Sequence, residues 1–116
     1  MKNEETNGMV GAAELAAMKE TAYVVNTARG GIVDEGALYD ALKSKSIAGA
    51  GIDPFVVEPA SPDNPLFELD NIIVSPHSAG VTKEAVFRMG QTAAQNVVDC
   101  FDGKLDPANV INKEVL

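Results

Sequence analysis

An arginine before a glycine pair, two spaced carboxylates and the only histidine are the residues of this chain best suited to chemistry. They are Arg29 ahead of Gly30-Gly31, Asp53 followed by Glu58, and His77 after Ser75-Pro76. A carboxylate beside an imidazole favours the charged ring, which can then donate a proton as a general acid. A guanidinium can grip a substrate carboxylate through two parallel hydrogen bonds. Acid, carboxylate partner and clamp together suit reduction of a 2-keto acid at its carbonyl, with hydride supplied by a cofactor. Taken singly, each residue has a plainer reading: a loop cation, a turn aspartate before Pro54, a solvated glutamate before Pro59, a structural histidine. Only a common placement lifts the functional reading above these.

That placement depends on the elements that carry the residues. A short helix is expected over residues 12–19, with Gly11 as N-cap, Glu14 at the third position and Val10 stapled onto Leu15. Residues 22–26 are β-branched and apolar enough for a strand buried on both faces. A second helix opens at Asp34, an N-cap residue, with Val33 and Leu38 at staple spacing and Leu38, Ala41 and Leu42 facing inward. Lys43 and Lys45 suit the negative end of its dipole. Further strands are expected over residues 47–52 and 71–75, separated by a Pro- and Asp-rich loop over residues 53–64. A last helix starts after Thr82 and ends near Asp102, with Gly103 as the residue beyond its cap. Its Val86, Met89 or Gly90, Ala93, Val97 and Phe101 read as one core-facing stripe, and Cys100 as buried packing. The tail 104–116 carries Val110, Ile111, Val115 and Leu116 and is expected to pack against something.

Helices alternating with strands predict an α/β layer architecture with a parallel sheet. Such sheets bind ligands beyond the carboxyl ends of their strands. The three strands run into Asn26-Thr27-Ala28-Arg29, into Asp53, and into Ser75-Pro76-His77. Arginine, carboxylates and histidine therefore share one rim if the strands are parallel neighbours. Three strands are few for a sheet of this kind, which points to an incomplete domain or one that needs a partner.

Composition narrows the alternatives. The 116 residues hold 9 Lys plus Arg against 17 Asp plus Glu, a formal net charge of −8. Nucleic-acid grooves and anionic membrane surfaces need clustered positive charge and are not expected partners. Apolar residues form 46% of the chain, which argues against disorder, and no apolar run approaches a membrane span. One cysteine and one histidine cannot build a metal cage. With no signal-peptide core at Met1-Lys2-Asn3-Glu4-Glu5, a cytoplasmic, metal-free globular protein is expected.

Three blocks carry a family resemblance. The run Asn26-Thr27-Ala28-Arg29-Gly30-Gly31-Ile32-Val33-Asp34-Glu35 resembles the signature of the D-isomer-specific 2-hydroxyacid dehydrogenases. Gly49-Ala50-Gly51-Ile52-Asp53 with Phe55, Glu58 and Pro59, and the run from Asn71 to Gly80 through His77, match in family order. The resemblance implies that Arg29 binds the substrate carboxylate and polarises the carbonyl. It implies that His77 protonates the carbonyl oxygen and that Glu58 pairs with His77. Thr27, Ala28, Arg29, Asp53, His77, Ser78, Ala79 and Gly80 are then expected around the nicotinamide end of NAD, with NADP left open. Pro54 departs from the aliphatic residue usual in the family. The tail from Asn109 looks most like that of phosphoglycerate dehydrogenases, with glyoxylate and hydroxypyruvate reductases close behind.

The fold class implied is a partial Rossmann-like, doubly wound parallel sheet of about three strands with flanking helices. Residues 1–103 would form the C-terminal half of a NAD(P)-binding domain, and residues 104–116 a tail returning toward a substrate-binding domain. No G-x-G-x-x-G occurs in the 116 residues, so most of the cofactor's grip and the substrate-binding domain would lie upstream. The expected function is the catalytic part of an NAD(P)-dependent oxidoreductase acting on the CH–OH group of a small 2-hydroxy acid, inactive alone. The alternatives are a non-catalytic NAD-sensing or assembly module of corepressor type, and a truncated remnant. Open strand edges and uncovered apolar faces predict a homo-oligomer.

Overall fold

The computed structural model describes residues 3–115, with the side chain of Val115 left aside; Met1, Lys2 and Leu116 lie outside the described residues. The chain divides into two compact units, Met1–Ala79 and Gly80–Leu116. The first unit holds helix α1 (Ala12–Ala16), strand β1 (Tyr23–Asn26), helix α2 (Glu35–Lys43), strand β2 (Gly49–Ile52) and strand β3 (Ile72–Val74). A 3-10 turn at Pro65–Glu68 interrupts the connection from β2 to β3. The strands form one parallel sheet in the order β1-β2-β3. This is a partial Rossmann-like α/β fold.

Local chemistry explains the helix starts. Gly11 precedes α1, and its N–H donates to the Glu14 carboxylate at 2.9 Å. Asp34 caps α2 by accepting from the Ala37 amide at 2.7 Å. Leu38, Ala41 and Leu42 of α2 are buried with Leu15 of α1, Val24 of β1, and Ala50 and Ile52 of β2. One face of the sheet, with the two helices, therefore makes the core.

Several expectations are corrected. Helix α1 stops at Ala16 rather than near Lys19, because its last turn tightens to a Met18 N–H to Leu15 C=O bond and the chain turns into β1. The strands are shorter at their ends than their apolar runs. Strand β1 is not buried on both faces: Val24 and Asn26 point inward, while Tyr23 and Val25 are exposed. Register explains this, since Val25, Gly51 and Ile73 pair across the sheet on one face, and α1 and α2 cover the other.

The second unit contains helix α3 (Lys83–Phe101), opened by the Thr82 hydroxyl accepting from the Ala85 amide at 3.1 Å. Asp102 caps it, and Gly103 follows with a φ of +66°, which glycine adopts without steric cost. The expected core stripe is not buried: Val86, Met89, Val97 and Phe101 are exposed, and so is Cys100. Within this unit α3 has only short 3-10 turns beside it, and one helix cannot bury its own apolar face. In the tail, Ile111 is fully exposed against expectation, while Leu105 and Val110 are half-buried; the side chain of Val115 and all of Leu116 lie outside the described residues. No helix among the described residues is long and apolar enough to cross a membrane.

Candidate active site

All three strand ends of the first unit contribute to one rim. At the end of β1, Asn26 is buried and its side chain organises the turn that follows. Its Oδ1 accepts from the Ala28 amide at 3.1 Å and its Nδ2 donates to the Arg29 carbonyl at 2.9 Å. Thr27, Ala28 and Arg29 are left exposed on this turn, with an Arg29 guanidinium N–H donating to the Ala28 carbonyl at 2.6 Å. Gly30 follows because nothing larger fits: an added Cβ would overlap the Phe55 carbonyl and crowd the Val56 amide.

At the end of β2, Asp53 is buried and fully engaged. Its Oδ1 accepts from the Ser75 hydroxyl at 2.6 Å and the Ser78 amide at 2.7 Å, and its Oδ2 from the Ala79 amide at 3.0 Å. These bonds hold its carboxyl below the ordinary aspartate range, the Ser75 hydroxyl contributing most, against burial that pushes the other way. The Asp53 carbonyl also accepts from the His77 amide at 3.1 Å. His77 adopts a left-handed φ of +53°, a conformation that persists in a non-glycine residue only where its surroundings over-determine it. Four hydrogen bonds to Asp53, at residues 75, 77, 78 and 79, do so here.

Glu58 meets His77 across the rim. His77 Nδ1 lies 2.9 Å from Glu58 Oε1 and 3.1 Å from Oε2, with both side chains about 40% exposed. The imidazole hydrogen bond is the main cause holding the Glu58 carboxyl below its usual value, against burial, with the Phe55 amide and then the charges of His77 and Arg29 adding to it. Arg29 is thus electrostatically felt at the pair. A cleft of about 550 Å³ opens beside it, lined by Asp53, Glu58 and His77 and by apolar Phe55, Phe67, Val74 and Pro76. Phe55 is buried and meets Phe67 edge to face at 5.5 Å, which fixes that wall.

Of the residues singled out in the sequence, Asp53, Glu58, His77, Ser78 and Ala79 are joined by hydrogen bonds, directly or through the 75–79 turn. Thr27, Ala28 and Arg29 stand on the β1 turn, and Arg29 does not line the cleft. Gly80 opens the second unit, with free space where a Cβ would stand. Sequence reasoning missed Asn26 and Glu35. A polar residue in an inward-facing strand position was the available signal for Asn26; Glu35 reads only as an acid in a helix's first turn.

The family model for the D-isomer specific 2-hydroxyacid dehydrogenase NAD binding domain matches residues 1–79, the whole first unit. The chain belongs to the D-isomer-specific 2-hydroxyacid dehydrogenase family. Among relatives of this dehydrogenase family, a glyoxylate reductase of Korarchaeum cryptofilum is 46% identical over 113 residues, covering 97% of this chain and 34% of that protein. A D-3-phosphoglycerate dehydrogenase of Archaeoglobus fulgidus is 44% identical, covering 96% of this chain and 21% of its own length. The NAD-complexed D-isomer specific 2-hydroxyacid dehydrogenase of Lactobacillus delbrueckii ssp. bulgaricus superposes with a TM-score of 0.84 at 31% identity, covering 96% of this chain and 38% of that one. The chain thus spans about a third or less of the length of the curated relatives it matches.

Proposed function

We propose that this chain supplies the catalytic rim of an NAD(P)-dependent oxidoreductase that interconverts a small D-2-hydroxy acid and its 2-keto acid. The observation that carries this reading is the contact of His77 Nδ1 with Glu58 at 2.9 Å, on the rim that also bears Arg29. A carboxylate on Nδ1 leaves Nε2 free to present its proton to a carbonyl oxygen in reduction, and to accept it in oxidation. Glu58 orients the ring. Arg29 binds the substrate carboxylate and draws electron density from the adjacent carbonyl.

Residues present fit one end of a nicotinamide cofactor. The exposed Thr27-Ala28 backbone and the Asp53-braced turn Ser78-Ala79 would stand beside the ring, with Gly80 following on the chain. Bound there, the cofactor would supply or accept the hydride. The 116 residues hold no glycine-rich dinucleotide fingerprint, and NADP is as compatible as NAD. Residues 1–103 are read as the C-terminal half of the NAD(P)-binding domain, with 104–116 a tail returning toward a substrate-binding domain. On its own the chain is expected to turn over no substrate.

Grafting the 116 residues in place of the matching third of the Korarchaeum relative tests the reading, with NADH oxidation followed on glyoxylate, hydroxypyruvate and phosphohydroxypyruvate. Turnover that falls roughly 10²–10⁴-fold on His77→Gln is expected. Turnover indifferent to both His77→Gln and Arg29→Gln would overturn it. Robust turnover by the ungrafted chain would overturn the expectation of inactivity. The reading also places the protein in the cytoplasm and in a homo-oligomer, supported by exposed Val25 and Ile73 on the sheet and by the uncovered α3 stripe. Light scattering that gives a monomer at high concentration would contradict the oligomer.

A further inference from the structure

Glu35 is the first residue of α2, outside the cleft and half-buried. Its carboxylate reaches across to the loop of residues 53–64, which carries Glu58. Oε1 accepts from the Val56 amide at 2.6 Å, and Oε2 from the Asn64 side-chain amide at 3.3 Å. The preceding amide, Phe55 N–H, donates at 3.1 Å to Glu58 Oε1, the oxygen nearest His77. Two consecutive amides of one loop are therefore held by two carboxylates, one on a helix anchored by buried leucines and one in the pair itself. On the other side, Gly30 abuts the same Phe55–Val56 peptide, next to Arg29.

We propose that Glu35 is a positioning residue for the Glu58–His77 pair, acting through the Val56 amide and Asn64. An exposed ion pair adds too little to organise the loop that bears it, because solvent screening and side-chain entropy cancel most of its attraction. Residues 56–59 are exposed and have no regular structure, so the loop's backbone must be set from elsewhere. Glu35 does this from the rigid first turn of α2, which is tied in turn by the Asp34 cap. Released from Glu35, residues 56–64 gain freedom, and the Glu58 carboxylate no longer dwells at Nδ1. The proposal rests on reading His77 and Glu58 as the acid–base pair.

His77 is the only histidine, so its ring nitrogens can be read in the full chain by long-range proton–nitrogen NMR without ambiguity. A carboxylate on Nδ1 fixes the Nδ1–H tautomer of the neutral ring. Glu35→Ala is expected to lower the Nδ1–H to Nε2–H ratio about threefold or more, toward that of Glu58→Ala, as the Nδ1 partner is lost. Glu35→Gln, which keeps an oxygen for the Val56 amide, is expected to restore more than half of the difference. Should Glu35→Ala not fold, Asn64→Asp serves: it keeps the Oδ1 that accepts from the Leu66 amide but sets a second carboxylate against Glu35. It should move the ratio the same way by a smaller amount. An unchanged ratio in folded Glu35→Ala, or in Asn64→Asp, overturns the proposal whatever happens to thermal stability. Because the readout is a ring proton and not turnover, a shifted ratio supports the positioning role even if the grafted enzyme is inactive. That second result would overturn the functional reading alone.

Discussion

Residues 3–79 and residues 80–115 are both built from properly capped elements, yet among the described residues only the first region buries apolar side chains. In α2, Leu38 is fully buried and Leu42 nearly so; in α3 no residue is buried. Both helices have a hydrophobic stripe in sequence. The difference teaches that periodicity states which face of a helix seeks cover, while the neighbours that provide it are a separate matter. Helix α2 has α1 and a sheet face against it; α3 has short turns.

The sharpest way to break this contrast is truncation of matched leucine-like positions. Leu38→Ala is expected to cost about 2–5 kcal/mol, the transfer loss plus an unfilled cavity. Val97→Ala on α3 should cost under about 0.5 kcal/mol. Urea unfolding followed by circular dichroism measures both, and comparable losses would erase the distinction. Glycine replacements sharpen it by sign. Gly30→Ala drives a methyl into the Phe55 carbonyl and is expected to destabilise by about 1–3 kcal/mol. Gly90→Ala, in the middle of α3 with open space around it, should stabilise the helix by about 0.5–1 kcal/mol.

Caps should instead make the two regions alike. Asp34→Ala and Thr82→Ala each remove one side-chain acceptor from a helix's first turn, and each is expected to cost about 1 kcal/mol. A loss confined to Asp34→Ala would mean that α3 is not held by its own start. The gentlest effect is with pH. Asp53 and Glu58 have carboxyl groups lowered in the folded state, so their contribution is complete above the usual carboxylate values and fades as pH falls through the lowered ones. The urea midpoint of the first region should therefore drop in acid, and Asp53→Asn should flatten that slope. A midpoint that rises on acidification would contradict the sign.

Much of the frame was legible because it is local. Asp34 and Thr82 announce their helices, the β-branched runs announce strands, and alternation implies the parallel sheet whose ends bring His77 to Glu58. Individual side-chain bonds outside that frame were not legible. Nothing near Glu35 shows that its carboxylate will reach Val56 and Asn64, and nothing near Asn26 shows that both ends of its amide will be used inside one turn. The left-handed backbone of His77 was equally hidden, since it follows from Asp53 gripping the turn around it. Cys100 was misread because a free thiol usually lies in a core, whereas no residue of α3 is buried.

That misreading has a practical side. Cys100 is the sole thiol of the chain and stands exposed on α3, whereas residues 1–79 contain no sulfhydryl at all. A maleimide dye or nitroxide would attach at one position without a background of competing sites. The helical region could thereby be tracked, by fluorescence anisotropy or spin-label line shape, with the Glu58–His77 rim left chemically untouched.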